Sequence, residues 1–84
     1  MTTKLTLEGM NQSKQEQFLN KVSKRIADLR KDKGFTQERL AEEADIDRVA
    51  LANIETGRRR PTLITLYKLA VALKVDVKEF FVKL

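Results

Sequence analysis

The chain lacks cysteine, histidine and tryptophan, and has only one proline and three glycines among 84 residues. Without cysteine there is no disulfide staple, and without either cysteine or histidine there is no ordinary zinc site, thiol nucleophile or imidazole base. No metal or other cofactor is therefore expected. Aromatic residues make up only 6%, so the core has to be aliphatic. Apolar runs such as Leu69–Leu73 are far too short to span a bilayer. The opening Met1-Thr2-Thr3-Lys4-Leu5-Thr6 has none of the apolar stretch of a signal peptide. A soluble, cytoplasmic protein with no membrane partner is expected. Hydrophobic residues at 42% and charged residues at 35% describe a folded chain rather than a disordered one, and the length suits one domain. The net charge of +5 points to a polyanionic partner.

What is present reads as a series of helices. Residues 1–12 show no helical period, and their tip Glu8-Gly9-Met10-Asn11 reads as a flexible arm. Leu5 and Leu7 alternate with polar neighbours, which allows a short strand beside a partner. From 13 to 84 the pattern is helical. Ser13 and Glu16 have the spacing of a capping box, and Phe18, Val22, Ile26 and Leu29 then form one apolar stripe that Gly34 ends. Thr36 can cap a helix with Phe35 stapled to Leu40, and Asp47 another with Ile46 stapled to Leu51. Thr62 precedes Leu63, Leu66, Tyr67, Ala70 and Leu73 on one face. Asp76 and Glu79 repeat the capping box, with Val75 stapled to Phe80. These signals predict five helices, near 13–33, 36–44, 47–56, 62–74 and 77–82, in a compact all-α domain.

Only Asp45 and Ile46 separate the second and third of these helices. So tight a connection between short helices forces a steep crossing, the geometry of the helix-turn-helix, rather than an antiparallel hairpin. Small Ala41 lets the two helices approach, and Ile46 and Leu51 fill the angle between them. Residues 22–80 resemble the Cro/repressor (Xre-family) helix-turn-helix transcriptional regulators through Arg30, Gly34-Phe35-Thr36-Gln37, Leu40-Ala41, Ile46, Ile54-Glu55, Gly57, Pro61, Leu66 and Leu69-Ala70. The length and the Asp76…Phe80-Phe81 ending also resemble restriction–modification controller proteins. The resemblance implies a repressor-like five-helix domain that binds double-stranded DNA as a homodimer on (pseudo)palindromic operator sites. One position departs from the family: Asp45 stands where a glycine is usual, at a turn that needs positive φ. Asp is among the few residues with a side chain that tolerate it.

In the family the helix spanning 47–56 here enters the major groove by its N-terminal end, which implies base reading by Arg48, Val49 and Asn53. Arg can grip guanine by two hydrogen bonds, Asn can pair with adenine, and Val can pack a thymine methyl. For each there is an ordinary alternative: a solvated Arg, a core Val, a surface amide. Thr36 and Gln37, where N–H groups and the helix dipole face outward, suit phosphate, although Thr36 can equally be only a cap. Arg58 and Arg59, in the run Arg58-Arg59-Arg60, are placed for phosphate contacts too. Charge agrees with that division: residues 34–57 carry a net −4, while residues 1–33 carry +4 and residues 58–84 carry +5. Arg30 and Glu55 match a family ion pair that ties the first helix to the end of the third, with Arg30 free to share a phosphate. So small a module needs a two-fold partner for specificity. Val77, Phe80 and Phe81, with nearby residues of the fourth helix, are the candidate dimer surface; the alternative is that the phenylalanines close the core.

Two other functions compete. Glu42, Glu43, Asp45 and Asp47 could hold Mg²⁺ or do acid–base work, but they sit on short surface helices without a glycine-rich phosphate loop. No enzyme activity and no small-molecule ligand are expected. The same fold also serves in antitoxins and coactivators whose partner is a protein, and fold alone does not decide between partners.

Overall fold

The computed structural model describes the backbone of residues 2–84 and the side chains of residues 13–84. Four α-helices follow one another: α1 (Thr2–Asp32), α2 (Gln37–Ala44), α3 (Arg48–Glu55) and α4 (Leu63–Leu73), and then a 3-10 helix, Val77–Phe81. The chain is all-helical among the described residues. Two boundaries differ from the sequence reading. The first helix does not start at Ser13 but runs unbroken from Thr2, so Ser13 and Glu16 lie inside it and form no cap. A cap is worth about 1 kcal/mol, and a single glycine costs a helix about as much. With no proline before Pro61, nothing stops a helix already anchored in the core from propagating. The side chains of the arm expected over 1–12 lie outside the described residues.

The fifth α-helix is the second difference. Asp76 Oδ1 accepts from the N–H of Lys78, two residues on, at 3.0 Å. The Glu79 N–H donates to the Asp76 carbonyl at 2.9 Å, an i to i+3 bond. Arg25 Nε of α1 donates to the Glu79 carbonyl at 2.8 Å, and its Nη2 reaches the Glu79 carboxylate at 3.5 Å. With that carbonyl taken and only five residues available, the segment closes as a 3-10 turn.

The helix ends obey one rule. After each of the four helices, one residue is left-handed and its N–H reaches back three residues, while the N–H of the next residue reaches back five, which is the Schellman arrangement. The left-handed residues at these four ends are Gly34, Asp45, Gly57 and Lys74. Asp45, at φ 56 and ψ 50, bears out the turn read from its place in the sequence, whereas Lys74 carried no such signal. Three of the following residues, Phe35, Ile46 and Val75, pack against the core, the apolar contact that accompanies this motif. At the N-terminal ends, Thr36 Oγ1 accepts from Arg39 N and Thr62 Oγ1 from Thr65 N, each at 3.1 Å. Asp47 holds the cap position of α3, but its side chain makes no capping hydrogen bond.

The core joins Val22, Ile26 and Leu29 of α1 to Leu40, Ala41 and Ala44 of α2 and to Leu51 and Ile54 of α3. Leu66, Leu69, Ala70 and Leu73 of α4 and Phe80 complete it. Phe18, expected in the α1 stripe, is 54% exposed, because the buried part of α1 begins one turn after it, at Val22. Leu63 and Tyr67 are also outside, and Leu69 takes their place. The sequence of α4, Leu-Ile-Thr-Leu-Tyr-Lys-Leu-Ala-Val-Ala-Leu, is apolar nearly all round, so its periodicity does not single out the buried face.

Candidate nucleic-acid interface

α2 and α3 meet across the turn Asp45–Asp47, and α2 packs on both α3 and α4. Ala41 is buried at the crossing, while fully buried Leu51 and half-buried Ile46 close the angle. Burying Leu51 and Ile54 decides which side of α3 remains free. Arg48 and Val49 are exposed at its leading end, and Asn53 is half-buried one turn behind Val49. Val49 is 63% exposed, so the core reading of this valine does not hold. Among the described residues, neither Arg48 nor the Asn53 side chain takes part in a hydrogen bond or ion pair. The Asn53 carbonyl, by contrast, accepts from the N–H groups of Arg58 and Arg59 at 2.9 and 3.1 Å, closing the end of α3.

That end is fixed by a nearly dry polar network. Arg30 Nε and Nη2 donate to the two carboxylate oxygens of Glu55 at 2.7 and 3.1 Å, and Nη1 donates to the Phe35 carbonyl at 2.7 Å. The Glu55 side chain is only 4% exposed. The two-pronged geometry and the low solvent access make this a strong, orienting pair. Each of the Arg30 guanidinium nitrogens donates once inside the fold, which leaves two of its five N–H groups for a phosphate. Gln37 joins the network, its Nε2 donating to Glu55 Oε1 at 2.9 Å. That donation leaves Gln37 one N–H for phosphate, a limit not visible in the sequence because it joins residues 18 apart. Thr36 is exposed, and its hydroxyl oxygen is engaged as the cap. Arg58, Arg59 and Arg60 are all exposed without ion pairs among the described residues.

The candidate dimer residues divide. Phe80 is 0% exposed and packs among α1 and α4, so it belongs to the core and cannot meet a partner. Val77 is half-buried against the same core. Phe81 remains outside, stacked on Phe18 with ring centroids 6.4 Å apart and planes 8° from parallel. The larger apolar surface is the outer side of α4, which the sequence reading included without naming its residues: Leu63, Ile64, Tyr67 and Val71 are all more than half exposed. Away from these surfaces, a hydrogen bond from Lys24 holds the exposed Asp28 carboxyl below the usual carboxylate range.

Comparison with known proteins agrees with this geometry. The helix-turn-helix (HTH_3) family model matches residues 26–80. The chain is similar to an uncharacterized HTH-type transcriptional regulator, y4dJ, of Sinorhizobium fredii: 46% identical over 55 residues, covering 66% of this chain and 71% of that protein. The control protein C.MunI of a Mycoplasma species is 37% identical over 65 residues, covering 76% and 82%. Among solved structures, the restriction-modification controller protein C.AhdI of Aeromonas hydrophila superposes with a TM-score of 0.74 at 38% identity, over 75% of this chain and 96% of that one. The chain belongs to the helix-turn-helix family, the Xre-type regulators of transcription.

Proposed function

We propose that the protein is a cytoplasmic homodimer that binds (pseudo)palindromic operators in double-stranded DNA, with α3 in the major groove, and so regulates transcription. One observation carries this reading: a helix fixed by a buried ion pair presents an unpaired Arg48, an exposed Val49 and, one turn back, Asn53. Rigid support matters because base reading demands fixed donor and acceptor positions. Arg48 suits the O6 and N7 of guanine, Asn53 the edge of adenine, and Val49 a thymine methyl. Thr36 and the remaining N–H of Gln37 at the start of α2, with Arg58 and Arg59 beyond α3, hold the backbone in register without reading sequence.

The two-fold partner contacts the outer face of α4, together with Phe81. Four large apolar side chains in one exposed patch, with no charge among them, fit a second copy of the same surface. The face opposite packs on α2, so pairing through α4 fixes the two α3 helices relative to one another.

The test is to incubate the folded protein with a random duplex library at about 150 mM salt, where nonspecific binding is weak, and to sequence the retained DNA. A palindromic motif is expected. Its half-site separation will match whole turns of the duplex, about 34–36 Å per turn, if one dimer bridges both. No enrichment would overturn the reading and leave a protein-interaction module of the same fold as the alternative.

A further inference from the structure

Beyond α3 the chain turns back onto the middle of α1, and the two enclose a cleft of about 310 Å³. Asn20 and Glu16 line it from α1, and Gly57, Arg58 and Arg60 from the loop. Gly57 stands at φ +77, where a Cβ would lie 2.5 Å from Asn20 Oδ1. Absence of a side chain thus lets the loop settle on α1 and brings Arg58 and Arg60 to the cleft that Asn20 lines. Arg59, between them, lines a separate cleft with Asp47 and Thr62, which Arg60 also borders. Among the described residues, the side chains of Asn20, Arg58 and Arg60 make no hydrogen bond or ion pair. Ser23, 2% exposed, lies beside the loop with its hydroxyl unpartnered, its Oγ 3.9 Å from the same Cβ position. Glu16 is the one carboxylate among the lining residues.

Two arginines and an amide converging on an open cleft make a chemistry suited to a phosphodiester: planar forks for two anionic oxygens and a third donor alongside. The cleft lies just beyond the end of α3. Asn20 precedes residue 26, where the family match begins. We propose that Asn20, Arg58 and Arg60 together hold one backbone phosphate of the bound duplex, and that Arg60 rather than Arg59 is the partner of Arg58. The proposal rests on the DNA-binding reading above.

Affinity for the selected operator is measured for the parent protein and for Arg60→Ala, Arg59→Ala, Asn20→Asp and Glu16→Gln between about 50 and 300 mM salt. Thermal melting of each variant runs alongside. Arg60→Ala and Arg59→Ala are each expected to lower the salt slope by about one, the value of one lost phosphate contact, and together by about two, because they hold separate phosphates. Asn20→Asp, which faces the phosphate with a carboxylate, is expected to weaken binding roughly tenfold at unchanged melting. Glu16→Gln is expected to tighten it. An Arg60→Ala slope equal to the parent's, or an Asn20→Asp protein that is folded and binds like the parent, would overturn the proposal while leaving the DNA-binding reading intact. A parent protein that selects no operator would overturn both.

Discussion

Single residues decide whether the recognition helix is held in place. Glu55 accepts three hydrogen bonds, two from Arg30 and one from Gln37, inside a site that excludes water. Glu55→Ala leaves the Arg30 guanidinium without its counter-charge, and breaking such a pair costs about 3–5 kcal/mol. Since small domains are stable by only about 5–15 kcal/mol in total, the variant is expected to melt far below the parent in circular dichroism and to lose DNA binding as a consequence. A melting temperature equal to the parent's would reduce the pair to a surface contact. Asp45 gives an opposite expectation. At φ 56 an L side chain crowds the following carbonyl at a cost of up to about 1–2 kcal/mol, less for Asp. Asp45→Gly removes that crowding, and for a domain of this size each kcal/mol gained raises the melting temperature by about 4–8 °C. A clear drop on thermal melting would contradict the turn. The ion pair was legible from Arg30 and Glu55 through their match to a family pattern. Its third member was not, because Gln37 reaches Glu55 only after α2 crosses α3.

Among the helices, α3 shows how burial selects function. Leu51 and Ile54 turn one side inward, and what is left at the leading end, Arg48 and Val49, faces out by geometric necessity. Arg48→Ala is expected to weaken operator binding by about 1–3 kcal/mol and to relax the preference at a single base pair, with the rest of the motif kept. A repeat of the library selection with the variant reads this directly, and an unchanged motif would remove Arg48 from the base-reading set. The helix ends were largely legible too. Gly34, Asp45 and Gly57 mark three of the four left-handed stops, and Thr36 and Thr62 both cap through their hydroxyls. Local chemistry writes such ends. The extension of α1 back to Thr2 and the 3-10 form of Val77–Phe81 were not legible. Each depends on what the segment joins: an anchored helix in one case, and Arg25 of α1 drawing on the Glu79 carbonyl in the other.

For the whole molecule, the proposed dimer rests on the exposed face of α4. Tyr67→Glu places a charge in the middle of the exposed α4 patch without touching the core. The variant is expected to melt within about 0.5 kcal/mol of the parent, to sediment as a monomer, and to bind a full operator much more weakly while a half-site is bound as before. A Tyr67→Glu protein that still sediments as a dimer would remove α4 from the interface. Phe81→Arg, tested in the same way, separates the contribution of the Phe18–Phe81 stack from that of α4. The sequence directed attention to Phe80 because Val77, Phe80, Phe81, Val82 and Leu84 offer more apolar surface than a short helix needs for internal packing. Packing resolves the surplus: Phe80 is the largest fully buried side chain, and the apolar excess lies on α4 instead.

The amino-acid sequence by itself determined the helical class, the helix-turn-helix and its tight turn, the ends of the middle helices and the side chains offered at the tip of α3. All of these follow from interactions within a few residues or from one short spacing. Tertiary structure alone decided which side of the uniformly apolar α4 is buried, that Phe80 belongs to the core, that Arg30 also donates to the Phe35 carbonyl, and that Arg58 and Arg60 share a cleft with Asn20. Those outcomes depend on neighbours distant in sequence, and hydrophobic burial, being non-directional, leaves the choice of partner to the shape of the assembled helices.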